Sequence, residues 1–313
     1  MSAITPNPLA SKQNPAVPGP TPGEIVDPNA PEDAPATNRK PIRPIRILLY
    51  AAIIFGAAVS LFPFYWMFVL ATNKSSTIYE FPPKVLPGPE LKTNLSHVFE
   101  NIDFLGSLGN TVIVACTVTF LVLFFDSLAA FCFSKFDFPG KKFFFGLMML
   151  TFLLPAQLAT IPQFLVMVKL GWVSSLKALI IPSAANAFGI FWLKQYMETA
   201  VPASLLEAAR LDGCGFFRQY LHVAIPTSRP ALAFLGIFTF IGAWNDFMWP
   251  LIVLNDPNKL TLQVAMSQLN VAHGQDYGML MAGALIAVVP LIAVFILGAR
   301  HFINNLTAGA VKQ

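Results

Sequence analysis

The chain reads as an all-α integral membrane protein with six transmembrane helices and both termini in the cytoplasm. Three observations predict this. Hydrophobic residues make up 55% of the 313 residues and charged residues only 12%, at a mean hydropathy of +0.62. A single soluble core cannot hide that much apolar surface from water. The apolar residues gather into six runs, most of them longer than the roughly 20 residues that a spanning helix needs. Finally, lysine and arginine alternate in density between successive connecting segments, as the positive-inside rule requires.

The first 46 residues are rich in Pro, Ala, Asn and Thr and hold hardly any large apolar side chains, so a disordered cytoplasmic extension is expected. The basic region of a secretory signal does not run to about 46 residues before its apolar segment, so the first helix should remain uncleaved. The apolar runs follow at Ile47 to Leu70, Leu108 to Phe133, Phe143 to Val168, Ala178 to Leu193, Ala231 to Leu254 and Met279 to Ala299. The fourth is short, but Lys177 and Lys194 flank it and their stems can reach the interfaces, so it too is expected to span. Four segments follow: 1–46; 47–107, the first helix and an external segment rich in Pro; 108–303, the membrane core with a cytoplasmic loop at 198–230; and a cytoplasmic tail, 304–313.

With the N-terminus inside, only Lys74, Lys84, Lys92, Lys169, Lys177 and Lys259 of the 20 basic residues fall outside. The net charge of +4 then sits mainly on cytoplasmic flanks, which argues for contact with anionic membrane lipid and against nucleic acid. Cys116, Cys132 and Cys214 fall in helices or in the cytoplasmic loop, where disulfides are not expected.

The most informative stretch is EAARLDGCGFFRQYLHVAIPTSRP, Glu207 to Pro230, polar and punctuated between two apolar runs. Ser204 with Glu207 forms a capping box, which predicts a helix from Leu205 to Asp212. Gly213 ends it in a left-handed turn, and a second helix is expected from Phe216 to Ile225. Ala208 and Ala209 keep the first helix slim enough for close approach by another protein.

The spacing of Glu207-Ala208-Ala209, Gly213, and Val223 and Ile225 before Pro226 resembles the signature loop of permease subunits in binding-protein-dependent, ATP-driven importers. Further stretches are similar to the carbohydrate-uptake branch, in particular to the partner subunit of maltose-type importers. They are Ala129-Ala130-Phe131 leading into Lys135 to Lys141, Leu154 to Gln157 with Ile161-Pro162, Ala243 to Phe247, and Leu306 to Lys312. The resemblance runs from about Leu48 to the C-terminus. It departs at Cys214, where alanine is usual, and at Val223 and Ile225, more often Ile and Leu. It implies the type-1 importer permease fold in a bacterial cytoplasmic membrane, a second permease subunit, two ATP-binding subunits and an extracytoplasmic sugar-binding protein. It also implies that Glu207, Ala208, Ala209, Asp212, Gly213 and Pro226 form the ATPase coupling site, and that the cargo is a di- or oligosaccharide.

No G-x-x-x-x-G-K-[ST] stretch occurs, so ATP with Mg²⁺ is expected on the partner ATPase subunits and no cofactor on this chain. His97, His222, His273 and His301 are scattered, and no metal or nucleophile motif accompanies them. Two acids lie inside apolar runs, Asp126 and Asp246, where exposure to lipid is costly. Trp244, Asn245 and Asp246 combine ring, amide and carboxylate, the groups that bind sugars, and are candidates for the translocation path. The alternative for Asp246 is a polar clamp to the partner permease, and for Asp126 an interhelical hydrogen bond. Two other functions fit a polytopic chain. A membrane protease would pair the two aspartates, but neither lies in a Tyr-Asp or Gly-x-Gly-Asp context. A self-contained carrier would show an inverted repeat, which is not seen here.

Overall fold

The computed structural model describes residues 44–272 and 276–310, in which all regular structure is helical. The expected disordered extension, up to residue 43, lies outside the described residues, as do His273 and the last three residues of the tail. The chain divides into two compact units, Met1–Gly56 and Ala57–Gln313. Of the first, the described part is helical and carries exposed apolar side chains, among them Ile47, Leu48 and Phe55.

In order, the helices are α1 (Pro44–Thr72), α2 (Leu91–Asn101), α3 (Phe104–Lys135), α4 (Lys141–Leu153), α5 (Thr160–Leu170), α6 (Lys177–Ile180) and α7 (Ala187–Ala200). They continue with α8 (Ala203–Leu211), α9 (Phe216–Gln219), α10 (Ile225–Thr227), α11 (Arg229–Asn245), α12 (Met248–Val253), α13 (Leu262–Ala272) and α14 (Tyr277–Ala310). Three helical stretches are each long and apolar enough to cross a membrane: Ile45–Thr72, Phe104–Lys135 and Tyr277–Leu297. Among the described residues the number is up to five if each of two bent pairs counts as one span, Lys141–Leu153 with Gln157–Leu170, and Phe216–Thr227 with Arg229–Asn245.

Three apolar runs expected as continuous helices are broken. The third turns by 91° after Leu153, where Pro155 disfavours helical geometry in Leu154, which is extended (ψ 133°). The fourth is not one helix: it forms α6, a turn through Pro182, and then α7, capped by the side chain of Asn186. The fifth breaks at Asp246, extended at ψ 123°, between α11 and α12. Hydropathy is blind to such breaks because a broken span is as apolar as a straight one.

Helix α3 packs along α7 and α11 at the centre of the second unit. One buried cluster joins Val118, Val122 and Phe131 of α3 to Leu193 and Met197 of α7 and Leu235 of α11. A second joins Val98 of α2, Ala115 of α3, Trp244 of α11, Leu269 of α13 and Met279 of α14. The segment between α1 and α3 is pinned in place by hydrogen bonds. Asn94 Nδ2 donates to the carbonyls of Ala71 (2.8 Å) and Asn73 (3.0 Å), and the Ser75 hydroxyl bonds the Asp276 carboxylate. Asp276 also accepts from Met279 N–H at 3.0 Å, which secures the start of α14.

Candidate functional site: an exposed loop and an interhelical cavity

The Glu207 helix forms as expected, but it starts by a different device. It runs Ala203–Leu211, with Pro202 at the cap (φ −63°, ψ 141°) and no capping bond from a side chain. Proline already holds the extended cap geometry, so the helix begins ahead of Ser204 and the capping box is not made. Glu207 is left exposed, as are Ala208 and Asp212.

The stop at Gly213 is a complete Schellman motif. Gly213 takes φ +75°, its N–H donates to Arg210 O at 3.0 Å, and Cys214 N–H donates to Ala209 O at 2.8 Å. Two orphan carbonyls are thereby satisfied. On α8 only Leu206 is buried. Leu205 is 48% exposed and Leu211 90%, and Phe217 beyond the turn is 64% exposed. A short helix that shows apolar side chains around a carboxylate has not used that surface for its own core.

Below this surface, the loop is locked to the end of α3. Phe131, Phe136 and Phe216 form a ring cluster with centroids 5.1 to 5.4 Å apart, and the Arg210 guanidinium lies over Phe136 at 5.8 Å. Tyr220 Oη and Ser127 Oγ are 2.7 Å apart and buried. Gln219 Nε2 donates to Cys214 O at 2.7 Å, tying the second helix back to the glycine turn. The second helix is not uniform: α9 passes into a π turn, Tyr220–Ala224, before α10. Pro226 has no N–H to donate and its ring crowds the carbonyl of His222, four residues earlier, and the wider π turn accommodates both. The chain then bends by 81° into α11. Val223 and Ile225 pack on the main core.

The three candidate path residues are not brought together, because neighbours on a helix point about 100° apart. Trp244 is 1% exposed and packs in the second cluster, stacked on Phe240. Asn245 is exposed, and its Nδ2 donates to Ile241 O at 2.9 Å. Asp246 alone lines a cavity of about 680 Å³, which is bounded also by Asn186, Phe188 and Phe238. Asp246 is half-buried there, at the break between α11 and α12. The sequence marked this cavity through Asp246 alone; its other lining residues form no pattern that singles them out.

Asp126 makes the interhelical bond expected of it. It is fully buried in α3, and its Oδ1 accepts from Asn186 N–H, at the start of α7, at 3.1 Å. Its Oδ2 has no partner among the described residues and lies against Gly189, where an added Cβ would meet it at 2.0 Å. Among the described residues no three His, Cys, Asp or Glu side chains are placed to hold a metal ion.

Comparison with known proteins places this architecture. Residues 127–306 match the family described as the binding-protein-dependent transport system inner membrane component. The chain is 30% identical over 268 residues to the arabinooligosaccharides transport system permease protein AraQ of Halalkalibacterium halodurans, covering 85% of this chain and 96% of that one. It is 30% identical over 272 residues to the sn-glycerol-3-phosphate transport system permease protein UgpE of Yersinia enterocolitica, covering 84% and 96%. It is 31% identical over 266 residues to the lactose transport system permease protein LacG of Rhizobium radiobacter, covering 85% and 96%. Among solved structures, a chain of a bacterial ABC transporter involved in the import of the acidic polysaccharide alginate superposes with a TM-score of 0.71 at 25% identity. That match covers 83% of this chain and 98% of the other.

Proposed function

Since the chain belongs to the binding-protein-dependent transport system inner membrane component family, we propose that it is the membrane subunit of an ATP-driven importer of di- or oligosaccharides. It pairs with a second permease, and two ATPase subunits and an extracytoplasmic sugar-binding protein complete the complex. The observation that carries this reading is the exposed Glu207 helix, closed by the Gly213 turn and locked beneath to α3. The permease and transport names of the relatives support it.

In this reading Glu207, Ala208, Ala209, Asp212, Gly213 and Pro226 form the coupling site, and α8 seats in the ATPase. Closure of the ATPase dimer around ATP carries α8 as a rigid body. The ring cluster passes the motion to α3, and the path opens outward to take sugar from the binding protein. Of Trp244, Asn245 and Asp246, the last is the one that faces the path. Six crossings with both termini in the cytoplasm follow from the positive-inside pattern, and the fourth crosses as a helix broken at Pro182. The location is the bacterial cytoplasmic membrane.

The test is affinity purification of the tagged chain expressed with its neighbouring genes, followed by ATPase assay in proteoliposomes. Copurification of a nucleotide-binding subunit, with hydrolysis stimulated by sugar and binding protein, is the expected result. A chain that purifies without any ATPase and still transports would overturn the proposal in favour of a self-contained carrier.

A further inference from the structure

We propose that the cavity within this chain is itself a binding site for a neutral carbohydrate, with Asp246 excluding anionic sugars, an inference that rests on the importer reading and adds a substrate class to it. The cavity lies between α3, the turn before α7, and the α11–α12 break. Its volume, about 680 Å³, falls within the roughly 300 to 1,000 Å³ of small-molecule sites.

Its lining combines two kinds of surface. One wall is aromatic: Phe188 stands between Phe152, stacked at 6.1 Å and 28°, and Phe238 at 5.3 Å and 45°. Ring faces cover the C–H face of a pyranose, whereas a lipid chain asks for no particular ring orientation. The lining also carries polar groups. The Asp246 carboxylate lines the cavity and offers its lone pairs to sugar hydroxyls. The Thr261 hydroxyl, 3% exposed, lines the cavity and has no hydrogen-bond partner among the described residues. A buried hydroxyl without a partner is costly, and a ligand hydroxyl would satisfy it. Asn186 has committed its Oδ1 to Gly189 N–H at 2.8 Å, so it offers a ligand its NH₂ group.

The charges decide the class. The lining holds a carboxylate and neither Lys nor Arg, so a phosphate or uronate entering here would meet a like charge in a low dielectric with no counter-ion. Hydroxyls would meet an acceptor, a hydroxyl and an amide.

The experiment uses the full chain in nanodiscs and measures binding of lactose, arabinotriose, glycerol 3-phosphate and a trigalacturonate by calorimetry. The neutral probes should bind and the anionic ones should not. Thr261→Val, nearly isosteric, should weaken neutral binding about fivefold. Phe188→Leu should weaken it roughly three- to tenfold. Asp246→Asn retains an acceptor and loses the charge, so it should narrow the preference for neutral over anionic probes at least about tenfold. Thermal midpoints near that of the parent show that each variant is folded. Anionic probes binding as well as neutral ones, no binding of any probe, unchanged binding in folded variants, or a copurified phospholipid that sugars do not displace would each overturn the site. The two readings fail separately. Sugar-stimulated ATPase that cavity variants leave untouched would sink this site and keep the importer, while failure to recruit an ATPase would sink the importer and leave the binding measurement standing.

Discussion

The phenol of Tyr220 donates to the hydroxyl of Ser127 across 2.7 Å, in a fully enclosed contact between the signature loop and α3. The direction follows from the neighbours: Ser127 spends its single proton on the Leu123 carbonyl one turn back, so Tyr220 must supply the other. This bond and the rings of Phe131, Phe136 and Phe216 tie the loop to α3.

That direction makes an asymmetric prediction. Tyr220→Phe removes a donor and leaves Ser127 still bonded to Leu123, so it should cost no more than about 1 kcal/mol. Ser127→Ala strands the buried phenol and should cost about 1 to 3 kcal/mol. Chemical unfolding of the purified subunit in detergent compares the two. If Tyr220→Phe proves the more damaging, the donor has been assigned the wrong way round.

Glu207 makes no capping bond, which separates docking from helix stability. Glu207→Ala should leave the helix and the yield of the subunit unchanged while it lowers sugar-stimulated ATPase several-fold in proteoliposomes. Gly213→Val should lower it too, through a different cause: φ +75° costs an ordinary L-residue roughly 1 to 2 kcal/mol, and a β-branched one more. Full stimulation in both variants would remove α8 from the coupling path.

Asp126 and Gly189 form a close pair whose energies should not add. Gly189→Ala pushes a methyl onto Asp126 Oδ2 and should destabilise by about 1 to 3 kcal/mol. Asp126→Asn preserves an acceptor for Asn186 N–H and should be tolerated, whereas Asp126→Leu strands that donor. In the double variant Asp126→Ala/Gly189→Ala the clash is gone, so its cost should fall below the sum of the two single changes. Thermal unfolding of the four proteins closes the cycle, and strict additivity would show that the two residues do not meet.

The ends of the chain should behave differently. Deleting Met1 to Thr37 removes a segment without apolar anchors and retains Arg39, Lys40, Arg43 and Arg46 for topology, so uptake should be normal. Deleting Asn304 to Gln313 removes Leu306 to Lys312, the stretch similar to the carbohydrate-uptake branch, and should weaken ATPase association. Parallel uptake and pull-down assays decide, and a tail deletion as harmless as the first would mean a loose end.

Much of this protein was legible from local chemistry alone. Helix existence and membrane class follow from apolar runs, and the Gly213 stop from the one residue type that enters the left-handed region at low cost. These are local properties, each decided within a few residues of itself. The start of α8 was misread because two signals competed, Pro202 and the Ser204/Glu207 pair, and proline's covalent constraint outweighs one side-chain hydrogen bond. The enclosure of Asp126 against Gly189 and the pairing of Ser127 with Tyr220 were decided by folding. Each depends on which distant helix supplies the missing hydrogen bond or the facing surface: Asn186, 60 residues from Asp126, or Tyr220, 93 residues from Ser127. A linear pattern shows that a buried carboxylate must find a donor. Only the packing of α3 against α7 and α11 determines which donor it meets and where a cavity remains.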